Sequence, residues 1–121
     1  GHSNGAEQIA VKGRDAGFEI IYEGIRLTPT QIARAAQEEG VHLIGLSVLS
    51  GSHLELVEDI CLALEQVGLP DLPIVIGGII PDEDAAALKA RGVKAVFTPK
   101  DIDMNAIMAR MVEVIRQANG L

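Results

Sequence analysis

Apolar positions along the chain switch back and forth between two periods: short consecutive runs, and recurrences every three or four residues. Consecutive runs read as buried strands and three-to-four spacing as amphipathic helices. The stretch from about Ala6 to Ala16 reads as a helix ended by Gly17, and Phe18-Glu19-Ile20-Ile21-Tyr22 follows as a strand. Thr28-Pro29 opens a second helix, with Thr as its cap and Pro in its first turn. That helix runs to about Glu39 and stops at Gly40. Val41 to Val48 is a mostly apolar run of strand length. A longer helix begins near Ser52, carries Leu54, Val57, Ile60, Cys61, Leu64 and Val67 on one face, and ends at Gly68. Pro73-Ile74-Val75-Ile76 is a short buried strand running into Gly77-Gly78. Pro81 and Asp82 start a helix closed by Gly92, and Lys94 to Phe97 is the last strand. The final helix spans about Asp103 to Ala118, with Met104, Ile107, Met108, Met111, Val112 and Ile115 predicted inward.

Strands thus alternate with helices, and the central strands are apolar on both faces. That pattern predicts an α/β fold: a doubly wound parallel sheet covered on both sides, with right-handed crossovers. Ligands of such sheets bind beyond the carboxyl ends of the strands. The positions to inspect are therefore Gly24-Ile25, Ser47 to Ser50, Gly77-Gly78 and Thr98-Pro99. A doubly wound domain places a strand before its first helix, whereas this chain opens with Gly1-His2-Ser3-Asn4-Gly5. The expectation is a sheet that lacks its first strand, with open edges that invite pairing with another chain, a homodimer included.

Composition narrows the function. The 121 residues suit one domain, and 48% are apolar while only 2% are aromatic, so Ala, Val, Ile and Leu must fill the core. No apolar run approaches the roughly 18 residues of a membrane span, so no membrane partner is expected. The net charge of −7, without a basic cluster, argues against nucleic acid, because phosphate neutralisation supplies most of that affinity. The single cysteine, Cys61, excludes an internal disulfide and fits a cytoplasmic protein.

Three short segments carry a resemblance. Gly1-His2-Ser3-Asn4-Gly5-Ala6 looks like the end of the Asp-x-His-x-x-Gly motif of cobalamin-binding domains. Ser47-Val48-Leu49 matches their Ser-x-Leu, and Gly77-Gly78 their glycine pair after the fourth strand. The order and spacing of the three also fit, and the likeness covers the whole chain, residues 1–121. It is nearest to the acyl-CoA mutases, of methylmalonyl-CoA and ethylmalonyl-CoA type, and segments such as LSGSH and VFTPKD lean toward the latter. The resemblance implies a flavodoxin-like (Rossmann-like) fold that holds adenosylcobalamin, with His2 as lower axial ligand to cobalt in place of the cofactor's own dimethylbenzimidazole. Gly5, Ser47, Leu49, Gly77 and Gly78 would then house the displaced nucleotide tail.

Residue chemistry agrees with each part. A neutral imidazole is a good cobalt ligand, and flanking glycines let His2 lift away from the backbone. Gly77 and Gly78 offer bare backbone as slot walls, Ser47 offers a small hydroxyl, and Leu49 offers an apolar contact to corrin or tail. Taken singly, each signal has an ordinary reading. A histidine among glycines is usually a surface loop residue, a glycine pair is usually a tight turn, and a serine usually satisfies local backbone. The family's Asp two residues before the His has no counterpart, since only Gly1 precedes His2; losing such an orienting partner commonly costs about 10- to 100-fold in metal affinity or activity. Thr98-Pro99-Lys100-Asp101 departs from the Gly-Pro-Gly-Thr stretch of many methylmalonyl-CoA mutases, and no tail contact is assigned to it.

The remaining chemistry-bearing residues read as structure. His42 leads into a strand, His53 stands at a helix start close to the slot, and Cys61 and the Met104-Met108-Met111 stripe are core packing. The acidic pairs lie on outward helix faces or near helix starts, where negative charge is favoured. No paired carboxylates or nucleophile elbow suggest independent catalysis. The resemblance therefore implies the cofactor-binding part of a radical acyl-CoA mutase, an isomerase whose acyl-CoA binds a separate TIM-type barrel domain or subunit. By itself this chain would be inactive. Two other readings are a methyl-carrying corrinoid protein, which generally has a helical bundle before this domain, and a receiver-like signalling domain. A receiver needs an acidic cluster where this chain carries Ser47.

Overall fold

The computed structural model describes residues 27–48, 53–101 and 103–120. Among them the elements are α1 (Pro29–Glu39), β1 (Ile44–Val48), α2 (His53–Gln66), β2 (Ile74–Gly78), α3 (Asp82–Ala90), β3 (Ala95–Phe97) and α4 (Met104–Ala118). The helix expected near residues 6–16 and the strand expected at residues 18–22 lie outside the described residues. The three strands are parallel, in the order β1-β2-β3.

Local chemistry explains the helix ends. Thr28 closes a capping box on α1: its hydroxyl accepts from the Gln31 N–H at 3.1 Å, and its own N–H donates to Gln31 Oε1 at 2.9 Å. Asp103 caps α4, Oδ1 accepting from Asn105 N–H at 2.9 Å and Ala106 N–H at 3.3 Å. Asp82, Glu83 and Asp84 fill the first turn of α3, where their charge suits the helix dipole.

Helices α1, α2 and α3 all end in one way. A left-handed glycine follows each: Gly40, Gly68 and Gly92, at φ 62°, 82° and 109°. The next residue is apolar and donates its N–H five residues back: Val41 to Ala36 at 3.3 Å, Leu69 to Leu64 at 2.8 Å and Val93 to Leu88 at 3.1 Å. This 6→1 bond is the mark of a Schellman motif. It also explains why β1 starts at Ile44 rather than Val41: the Val41 N–H is still closing α1.

Side chains alternate across the sheet. Ile44, Leu46, Ile74 and Ile76 pack with α1, α2 and α3, where Ala33, Val57, Ile60, Leu64 and Leu88 are buried. Val75, Ala95 and Phe97 pack on the other face, against Ile107, Met108, Met111 and Val114 of α4. Helices therefore cover both faces, and the chain is a doubly wound, flavodoxin-like α/β sheet. Side-chain bonds reinforce both layers: Gln37 Nε2 donates to the Val67 carbonyl at 3.0 Å, Arg110 Nη2 to the Lys94 carbonyl at 3.1 Å, and Arg91 pairs with Glu58.

Two expectations are corrected. Val112 is exposed and Val114 takes its place in the core, because the buried stripe of α4 runs through residues 107, 108, 111 and 114. Gly77 and Gly78 do not follow their strand; they are its last two residues. Among the described residues no helix is long and apolar enough to cross a membrane.

Candidate functional site

The parallel sheet gathers the carboxyl ends of β1, β2 and β3 along one edge. Strand register then decides which residues stand together there. Ser47 pairs with Gly77, and Gly77 with Phe97, so the three form one row on the face that α4 shares. One row further out, Val48 pairs with Gly78. Ser47 is exposed and Gly77 and Gly78 are half-buried. Ile79, just beyond, is 72% exposed, while Ile80 turns back into the core.

The two glycines have different physical grounds. Gly78 adopts φ 153°, outside the range that side-chain-bearing residues favour. Gly77 has no such backbone demand. Among the described residues, a methyl group added there would meet only the Phe97 carbonyl oxygen, at an ordinary 3.7 Å. The described residues would thus accept a side chain at Gly77, where a bare backbone stands between Ser47 and Phe97. In a strand interior such a glycine often marks the close approach of a ligand or another backbone.

The β3–α4 loop borders this edge and uses its polar groups internally. Thr98 N–H donates to Asp101 Oδ2 at 2.7 Å, Lys100 N–H to Thr98 Oγ1 at 3.3 Å, and Asp101 N–H to the Thr98 carbonyl at 2.8 Å. Lys100 Nζ lies 3.5 Å from Asp82 Oδ1, linking this loop to the start of α3. Both side chains are well exposed, so the pair contributes little to stability.

Among the described residues no group of three His, Cys, Asp or Glu side chains could hold a metal ion. The arrangement is instead a row in which the Ser47 side chain, the Gly77 backbone and Phe97 stand side by side at the carboxyl edge. A family model of the B12-binding domain matches residues 1–108. The chain belongs to the B12-binding domain family. Its sequence is 53% identical over 118 residues, 98% of this chain, to ethylmalonyl-CoA mutase of Methylorubrum extorquens. It is 54% identical over 115 residues, 95% of the chain, to ethylmalonyl-CoA mutase of Cereibacter sphaeroides. It is 41% identical over 97 residues to the 2-hydroxyisobutanoyl-CoA mutase small subunit of Aquincola tertiaricarbonis, covering 80% of this chain and 71% of that subunit. The chain spans only 17% and 18% of the two ethylmalonyl-CoA mutases.

Of the residues predicted from sequence, the structure brings Ser47, Gly77 and Gly78 together. His2, Gly5 and Leu49 lie outside the described residues, as does the side chain of His53. Sequence reasoning missed Phe97 as a member of the row and Gly45 as its neighbour on the same face. A glycine interrupting the apolar β1 run was the available signal for Gly45; Phe97 had none, because its place depends on register with a distant strand.

Proposed function

We propose that residues 1–121 form one cobalamin-binding domain that holds adenosylcobalamin base-off, with His2 as lower axial donor to cobalt. The nucleotide tail lies along the row at the carboxyl edge, with Gly77 and Gly78 as its walls, the Ser47 hydroxyl hydrogen-bonding it, and Gly5 and Leu49 packing beside it. The domain serves a radical acyl-CoA mutase that isomerises a carbon skeleton, of ethylmalonyl-CoA or methylmalonyl-CoA type. The acyl-CoA binds a barrel domain or subunit that partners this one, and two copies pair as a homodimer.

The observation that carries the reading is the Ser47–Gly77 register pair at the carboxyl edge. It sets the hydroxyl beside a bare glycine backbone, in a chain whose family binds B12. The names of the relatives, mutases acting on acyl-CoA, support the substrate class. When bound, adenosylcobalamin supplies a carbon radical by homolysis of its cobalt–carbon bond. The protein's own residues bind and orient: His2 offers a neutral imidazole nitrogen, Ser47 a hydrogen bond, and the glycines a close-fitting wall.

Titration of the full-length protein with adenosylcobalamin and hydroxocobalamin, followed by visible absorbance, tests the reading. Saturable binding is expected. Electron paramagnetic resonance of the cob(II)alamin form, with nitrogen-15 histidine, should show a protein-nitrogen splitting that His2→Ala removes. Absence of binding would sink the cofactor assignment; binding without the splitting would sink the role of His2.

A further inference from the structure

The end of α4 repeats the joint that closes the three earlier helices. Gly120 is left-handed, at φ 71°. Asn119 N–H donates to the carbonyls of Ile115 and Arg116, at 3.2 and 3.1 Å, and Gly120 N–H to that of Gln117 at 3.2 Å. At the end of α3, Arg91 donates to Ala87 and Leu88, at 3.1 and 3.0 Å, and Gly92 to Lys89 at 3.0 Å. The two ends match bond for bond. In α3 the next residue, Val93, completes the motif by donating to Leu88 and burying its side chain. The residue after Gly120 is Leu121, apolar as Val41, Leu69 and Val93 are, and outside the described residues.

Beside this helix end, at the amino edge of the sheet, an open cleft of about 250 Å3 is lined by Val41, Leu69, Leu72, Pro73, Ala118 and Asn119, among others. Val41 and Leu69 are themselves the apolar residues that complete the joints of α1 and α2. Sites for small molecules usually exceed about 300 Å3 and enclose their guest; this cleft suits a single aliphatic side chain. We infer that Leu121 is its occupant. Its N–H donates to the Arg116 carbonyl, and its side chain enters the cleft beside Val41 and Leu69. In the earlier joints the residue five positions back is buried and apolar: Ala36, Leu64 or Leu88. At α4 it is Arg116, which is exposed. The apolar contact that usually accompanies the motif has no partner at that position, and the cleft supplies one. Because α4 covers one face of the sheet and α1 and α2 the other, a docked Leu121 ties the two layers together. It does so at the edge opposite Ser47 and Gly77.

The test uses the full-length protein with labelled leucine methyls, its Leu121→Asp variant, and Leu121→Ile as the conservative control. Leu121 methyls, assigned by their loss in Leu121→Ile, should show nuclear Overhauser contacts to Val41 and Leu72. Backbone amides of residues 69–73 and 116–121 should exchange about tenfold or more faster in Leu121→Asp, as local opening becomes easier, and at the parent rate in Leu121→Ile. About tenfold dilution of the parent should leave its exchange unchanged. Leu121 methyls without contacts to the cleft, or equal exchange in parent and Leu121→Asp, overturn the inference. So does protection that falls on dilution, which would make a second copy the occupant. Should Leu121→Asp not fold, Leu121→Ala takes its place, and unchanged exchange there overturns the inference as well.

Discussion

The two faces of the sheet are built to different rules. On one, α1, α2 and α3 close over Ile44, Leu46, Ile74 and Ile76, and the large side chains Val57, Ile60, Leu64, Ile76 and Leu88 are almost wholly buried. On the other, α4 covers Val75, Ala95 and Phe97, while Gly45 and Ser47 of β1 stay exposed among the described residues. The first face holds the fold together. The second carries a glycine and a serine at the carboxyl end of β1 where the first carries large apolar side chains. Substitutions on the two faces should therefore separate stability from binding.

The largest effect belongs to the closed face. Leu88→Ala should lower unfolding free energy by about 2–5 kcal/mol, the usual range for emptying a buried leucine site, read as a lower denaturant midpoint. A loss under about 1 kcal/mol would mean that this face is not the stabilising one. Next comes Asp103→Ala at the start of α4, expected to cost about 1 kcal/mol by leaving two N–H groups without their acceptor. Because α4 packs on Val75 and Phe97, cobalamin affinity should soften with it. Ser47→Ala inverts the pattern: stability within about 0.5 kcal/mol of the parent, and cobalamin binding weaker by about 2- to 10-fold, the value of one neutral hydrogen bond. A Ser47→Ala protein that melts early but binds normally would reverse the roles of the faces.

The smallest effect concerns Cys61, packed between the helices of the closed face. Burial first, and the Glu65 carboxylate second, raise its thiol above the usual value. A thiol with a raised folded-state pKa contributes stability that is present below the unfolded pKa and lost as pH rises through the folded one. Alkylation at mildly alkaline pH should accordingly run slower in the native protein than in urea. Stability should decline slightly more steeply at high pH than in Cys61→Ala. Equal alkylation rates would show the thiol to be open.

Much of this frame was legible because its signals are local. Thr28-Pro29, the glycines at 40, 68 and 92 and the three-to-four spacing of Val57, Ile60 and Leu64 each act within a few residues, and the described helices formed where they point. What escaped depends on partners distant in sequence. Val112 and Val114 are equally apolar, and only the position of β2 and β3 under α4 decides which is buried. Whether Gly77 turns the chain or continues a strand depends on Ser47, thirty positions away, offering it a register partner. The motif residues Ser47, Gly77 and Gly78 could be named from resemblance, but the row they share with Phe97 required the pairing of β1 with β2 and of β2 with β3.

The thrice-repeated ending of α1, α2 and α3 has an engineering consequence. Each helix hands the chain to the next strand through the same joint, a left-handed glycine and an apolar residue bonded five positions back. These joints all lie at the amino edge of the sheet, and they behave as interchangeable couplings. Among the described residues, the two connections at the opposite edge share no such form: Ile79-Ile80-Pro81 leads into α3, and a turn locked by Thr98 and Asp101 leads toward α4. Variation can thus accumulate at the carboxyl edge, by exchange or grafting of whole loops, while the couplings keep the strands in step. A scaffold of this kind can be retuned to a new guest without being redesigned.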